Sequence, residues 1–179
     1  MWILALCLAL FAAPAQADAL ATAATPGAVL LMRHATAPGT GDPENMRLGS
    51  CDTQRNLSDA GRAEARDVGE RIRTARIGVD HVLTSEWCRT AETARLLELG
   101  PVTPFPPANS FFSTRQEADR QTAEVLAYLA TLPPEDRVLI VTHQVNITAL
   151  TGIVPRSGEI VITRRADSGL TVIDRLPPE

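Results

Sequence analysis

Two short apolar runs, each ending in histidine, constrain this chain more than any other feature. Val29-Leu30-Leu31-Met32 runs into Arg33 and His34, and Val138-Leu139-Ile140-Val141-Thr142 runs into His143. A short continuous apolar run bounded by turn formers reads as a buried strand. Pro26-Gly27 and Pro38-Gly39 bound the first run closely. In an open α/β sheet, ligands sit outside the carboxyl ends of the strands, and Arg33 and His34 fall at such an end. One histidine after a strand is ordinarily a cap or a packing residue, but here there are two. A third strand, ending at Val82-Leu83-Thr84-Ser85, leads into a helix that carries Arg89. Two histidines and two arginines at three strand ends form a constellation.

Around these strands the chain reads as one domain. The first strand covers about residues 28–33. Residues 35–56 are a long irregular stretch rich in Gly, Pro, Asn and Asp. A loop of that length inside a compact domain is usually functional or disordered. Leaving a candidate site directly, it is expected to wall a substrate. Ser58 is a fair helix N-cap with Asp59 in the first turn, and Ala65, Val68 and Ile72 follow at helical spacing. A strand over 80–85 and a helix over 87–97 come next. The proline-rich stretch 101–112 is an edge strand or a loop, because proline cannot donate to a central ladder. A helix over 117–132, the strand ending at His143, a helix over 145–151 and a hairpin over 158–173 complete the order. Alternating strands and helices predict an α/β fold, a three-layer sandwich with a mostly parallel central sheet and helices on both faces.

Arg33-His34-Ala35, the Ser85…Arg89-Thr90…Thr93-Ala94 segment and Val141-Thr142-His143 resemble the three signatures of the histidine phosphatase superfamily (phosphoglycerate mutase-like), in that family's order. The resemblance runs over about residues 28–174. It implies the same sandwich, with His34 as a nucleophile that becomes a phosphohistidine and is then discharged by water. Arg33 and Arg89 would hold phosphoryl oxygens, as guanidinium groups do in bidentate fashion. His143 would stabilise charge in the transition state. Arg55 is either a further anion contact or a surface arginine. The implied enzyme is a metal-independent, acid phosphatase-type phosphohydrolase that needs no cofactor. No HExxH, cysteine cluster or carboxylate cage suggests a metal site.

The chain departs from the family pattern twice. Ala35 stands where the family has glycine, a change tolerable if φ there is negative. The family's acid after the third strand is missing, since 108–110 read Ala-Asn-Ser. Glu117, Asp119 and Asp52 are the candidate general acids.

Residues 1–17 read as a signal peptide: 2–13 are almost all apolar, and Ala15-Gln16-Ala17 is a small-x-small cleavage pattern. The apolar run is too short for a stable membrane span. A flexible mature N-terminus over 18–27 and a single domain over 28–179 follow. Removing the leader leaves Cys51 and Cys88, an even pair that suggests a disulfide in an exported protein. Two free buried thiols are the other possibility. The bridge would be worth roughly 3–4 kcal/mol in the chain-entropy model. The net charge of −4 and the absence of a basic run argue against nucleic-acid binding.

The expected protein is therefore a periplasmic or secreted phosphatase of the phosphatase branch. It would act on a phosphomonoester, or on an acyl or anhydride phosphate. Its partner would be a small phosphorylated substrate or an envelope-linked phosphate. The other function these residues allow is a weak or inactive phosphate-binding envelope protein.

Overall fold

The computed structural model describes residues 14–178. All but the last four residues of the expected signal peptide, 1–17, lie outside the described residues. The chain order is α1 (Pro14–Ala23), β1 (Ala28–Arg33), α2 (Asp59–Thr74), β2 (His81–Thr84), α3 (Cys88–Leu97), β3 (Val102–Pro104), α4 (Ala118–Thr131), β4 (Val138–Thr142), α5 (Gln144–Thr151), β5 (Ile160–Ala166) and β6 (Gly169–Leu176).

The six strands form one sheet in the order β3-β2-β4-β1-β5-β6. β3, β2, β4 and β1 are mutually parallel, and β5 runs antiparallel to β1 and β6. Side chains alternate between the two faces of each strand. Leu30, Met32, Leu139 and Val141 meet Val68 and Ile72 of α2, Ala94 and Leu97 of α3 and Ala19 and Ala23 of α1. Val29, Leu31, Val138 and Ile140 meet Val125 and Leu129 of α4 and Ile147 of α5 on the opposite face. The α/β three-layer sandwich expected from the sequence is the one found. Burial on both faces explains why β1 and β4 read as unbroken apolar runs. Leu30 is fully buried, so truncating it to alanine costs about 2–5 kcal/mol.

Two local results matter for the site. Residues 18–27, expected to be a flexible arm, instead include the second half of α1. Ala19 and Ala23, four residues apart on one helical face, are buried against the sheet. Their small side chains let the helix lie close, while an alanine-rich stretch offers no apolar period to read.

The second result is at the start of α2. Ser58 caps the helix, accepting from the Gly61 N–H at 3.0 Å. The same helix grips Thr36, two residues beyond His34. The Thr36 N–H donates to Glu64 Oε2 at 2.9 Å, and its carbonyl accepts from the Ser58 N–H at 3.1 Å. Gly61 makes this contact possible, since a Cβ there would stand 2.0 Å from the Thr36 oxygen.

Candidate active site

β1 and β4 are neighbours in register, Arg33 beside Thr142. The His34 N–H donates to the Thr142 carbonyl at 3.0 Å. The next residue on each strand is a histidine, so the two imidazoles emerge side by side. Their centroids are 5.6 Å apart and the rings stand nearly edge to face. Both are buried, and both line one cavity of about 490 Å³ together with Arg33, Arg55 and Arg89.

His34 Nδ1 lies 2.8 Å from the Ala35 carbonyl oxygen. A carbonyl can only accept, so Nδ1 carries the proton and Nε2 keeps a bare lone pair. Burial first, and then the guanidinium groups of Arg89, Arg33 and Arg55, hold the His34 ring at about 3 rather than 6.5, against an opposing pull from the Ala35 carbonyl. The ring is therefore neutral and nucleophilic at any ordinary pH. Ala35 does not take a positive φ, and its N–H donates to Thr93 Oγ1 at 3.1 Å. The methyl that replaces the family's glycine hydrogen is accommodated without backbone strain.

His143 occupies the N-cap position of α5. Its Nε2 lies 2.8 Å from Ser85 Oγ, at the end of β2, and its Nδ1 lies 3.4 Å from Arg89 Nη2. Arginine can only donate, so Nδ1 is the acceptor and Nε2–H donates to the serine. The Ser85 hydroxyl lies 3.1 Å from Thr90 Oγ1, and Thr90 in turn donates to the Trp87 carbonyl at 2.7 Å. The Trp87 ring stands edge-on to His143 at 5.2 Å. Burial, then the neighbouring His34 and the arginines, push the His143 ring well below the ordinary imidazole value.

Arg89 is buried in the first turn of α3. Its fork grips Asp42, with Nη1 at 2.6 Å from Oδ1 and Nη2 at 3.0 Å from Oδ2. Its Nε is buried without a hydrogen-bond partner. Arg33 donates through Nη1 to the Pro155 carbonyl at 3.0 Å, and its Nε is likewise buried and unsatisfied. Burial, then the charge of Arg89, lower the Arg33 guanidinium from its usual value. A buried Arg89 and a half-buried Arg33, each with an unanswered Nε–H, suit a wall that meets an anion.

Arg55 lines the cavity but also organises the loop. Its Nε donates to the Gly41 carbonyl at 2.8 Å and its Nη1 to the Ala37 carbonyl. Cys51 and Cys88 are joined by a disulfide across Cα atoms 5.7 Å apart, tying the long loop to the residue before Arg89. Beside it, Gln54 Oε1 accepts from the Cys88 N–H at 2.9 Å, at the start of α3.

The candidate acids are not brought to this cavity. Glu117 pairs with Arg120 on the surface of α4. Asp119 lies in the first turn of the same helix, and Asp52 is exposed in a short 3₁₀ turn over Cys51–Thr53. The carboxylates among the cavity-lining residues are Asp42 and Glu44. Sequence reasoning passed over Asp42 because an aspartate between glycines and a proline looks like a solvated turn. Its chemical signal exists only once the loop folds onto Arg89. Among the described residues no group of three or more His, Cys, Asp or Glu is placed to hold a metal ion.

His34, His143, Arg33 and Arg89 thus line one cavity suited to an anion. The model of the histidine phosphatase superfamily (branch 1) matches residues 29–108. That match, over less than half of the chain, supports the histidine phosphatase superfamily. Its fold is similar to the protein histidine phosphatase SixA in complex with tungstate, with a TM-score of 0.63 and 18% identity over 84% of this chain and 97% of that one. It also resembles Bacillus stearothermophilus YhfR, with a TM-score of 0.62 and 15% identity over 85% and 98% of the two chains. The alpha-ribazole phosphatase from Shigella flexneri gives a TM-score of 0.59 and 16% identity over 82% and 95%. At these identities the likeness is one of fold. No curated protein matches the sequence.

Proposed function

We propose that this chain is an exported phosphatase that hydrolyses a phosphomonoester, or an acyl or anhydride phosphate, through a phosphohistidine on His34. The observation that carries the reading is the bare Nε2 of a neutral, buried His34 beside the guanidinium groups of one cavity. The tungstate bound by SixA, a tetrahedral oxyanion like phosphate, supports it.

His34 Nε2 attacks phosphorus in line, and the bond to the leaving oxygen breaks. Its Nδ1–H, held by the Ala35 carbonyl, keeps the ring oriented and stabilises the positive charge that develops on it. Arg33 and Arg89 take the non-bridging oxygens, and their positive charge offsets the charge gathering there. His143 steadies that grip, its Nδ1 accepting from Arg89 Nη2 while its Nε2–H is held by Ser85. Water then attacks the phosphohistidine from the side the leaving group vacated, and phosphate departs. The positive charges in this scheme belong to side chains rather than to a metal.

A cavity of about 490 Å³ falls within the range of small-ligand sites, about 300–1,000 Å³. Trp87, Phe112, Met46 and Val145 lend it apolar wall, which suits a substrate with an organic group beyond the phosphate. Such a group belongs either to a free metabolite or to an envelope-linked phosphate. Export is supported by the apolar run over 2–13 and by the disulfide, a bond that persists in oxidising compartments. No helix of the described residues is long and apolar enough to cross a membrane.

Turnover of p-nitrophenyl phosphate by the purified mature chain, with His34→Ala as control, tests the reading. Rapid quenching should trap an acid-labile, base-stable phosphoprotein in wild type alone. Wild type no faster than the variant would leave the phosphate-binding envelope protein as the better description.

A further inference from the structure

The geometry points to Asp42 as the proton donor to the leaving group, a role it takes up by surrendering Arg89 to the incoming phosphoryl group. This rests on the phosphatase reading above. Asp42 is held as an anion is held in a binding site. Oδ1 accepts from Arg89 Nη1 at 2.6 Å and from the Arg55 N–H at 3.4 Å. Oδ2 accepts from Arg89 Nη2 at 3.0 Å and from Trp87 Nε1 at 3.1 Å. A carboxylate thus fills the fork that a phosphoryl group would use. For Arg89 to grip phosphoryl oxygens in bidentate fashion, Asp42 must move aside.

The loop is built to allow that. Gly39 and Gly41 hold φ of 94° and 70°, a region open to glycine and costly for other residues. Arg55 pins the carbonyls of Ala37 and Gly41, so Asp42, just past the second pin, can turn away from Arg89 without releasing the loop before it. Only Glu44 competes with Asp42 among the cavity-lining carboxylates, and Glu44 is exposed. Glu117, Asp119 and Asp52 lie outside the cavity.

The chemistry follows from the exchange. Once off Arg89 and beside a phosphoryl dianion, Asp42 loses its cation and gains a like charge, and both changes favour the protonated carboxyl. It takes that proton from solvent as substrate binds. When His34 Nε2 bonds to phosphorus, the phosphorus–oxygen bond breaks and the leaving oxygen takes the proton from Asp42, departing as an alcohol. The Asp42 carboxylate then accepts a proton from the water that attacks the phosphohistidine. Phosphate leaves, the His34 ring returns to its neutral form, and Asp42 gives its proton to solvent on regaining Arg89.

The test compares Asp42→Asn with wild type on p-nitrophenyl phosphate and on a primary alkyl phosphate, with tungstate as the competing anion. General-acid assistance is worth about 10²–10⁴-fold. The variant should lose that much on the alkyl ester and within about tenfold on the nitrophenyl ester, whose phenolate leaves without a proton. It should also bind tungstate more tightly, since the resident carboxylate is gone. Equal losses on both esters would make Asp42 a positioning residue for Arg89 and overturn the donor role. Tungstate binding unchanged or weaker would overturn the exchange. The same leaving-group signature in Glu44→Gln, and not in Asp42→Asn, would move the role and overturn the assignment.

A series of substrates on wild type needs no variant to fold. A shallow dependence of kcat/KM on leaving-group acidity supports the donor, and a steep one in a His34-dependent enzyme sinks the donor alone. Turnover that does not depend on His34 sinks the phosphatase reading, and the donor with it.

Discussion

The exits of β1 and β4 start alike and diverge at once. Both strands are buried, parallel and adjacent, and both end in an imidazole. After β4 the chain enters α5 directly, with His143 at its N-cap. Regular structure and the Ser85 contact hold this ring. After β1 the chain wanders from residue 35 to residue 58 before α2 begins. Side chains hold that path: Arg55, from the loop itself, on two carbonyls, and from elsewhere Arg89 on Asp42, Glu64 on Thr36 and Cys88 through the disulfide. One exit supplies a fixed wall. The other supplies the proposed nucleophile, the resident carboxylate and a loop whose position depends on long-range ties.

Breaking this contrast should give a graded series. His34→Ala has the largest effect, and p-nitrophenyl phosphate hydrolysis should fall to the uncatalysed rate. Arg89→Ala removes the guanidinium shared by both exits and should lower kcat about 10²–10³-fold. Cys51→Ser should lower stability by about 3–4 kcal/mol, or roughly 10 °C in Tm, read by thermal melting with and without reductant. No such thermal cost would mean that the β1 exit holds itself together. Ser85→Ala loosens the fixed wall alone. It should cost about tenfold in kcat, with the melting temperature little changed.

The smallest effect on turnover is that of pH. The unfolded His34 gains a proton as pH falls below 6.5, whereas the folded ring resists until about 3. Folding stability from this group is therefore complete above pH 6.5 and declines as pH falls from 6.5 towards about 3, because the unfolded state binds more protons. Across that window the folded His34 ring stays neutral. Its own titration should produce no loss of kcat/KM near pH 6.5, and denaturant melts across the range check the stability slope.

What could be read in advance follows the same division. β1 and β4 were legible because strands covered on both faces need unbroken apolar runs, and His34 and His143 because they end those runs. Arg89 was legible from the segment it shares with Ser85 and Thr93. The cysteine pair was legible from its parity. The interior of the β1 exit was not. Arg55 left two roles open, and the structure gives it a cavity wall together with two loop carbonyls. The acid was sought at Glu117, Asp119 and Asp52 because nothing local distinguishes Asp42 from a solvated turn. Its partners, Arg89 and Trp87, lie 47 and 45 residues away. α1 escaped notice because alanines pack by being small, which leaves no pattern to detect.

Gly61 carries a consequence beyond its helix. The backbone just past His34 rests against α2 with no space for even one methyl group between them. That seam is a stop against which the reactive ring is indexed. A Gly61→Ala protein would have to back the Thr36 carbonyl away from the helix, displacing His34 relative to Arg89 while leaving every reacting side chain intact. Slow variants with a complete catalytic complement should therefore arise along this join, remote in sequence from the residues that do the chemistry.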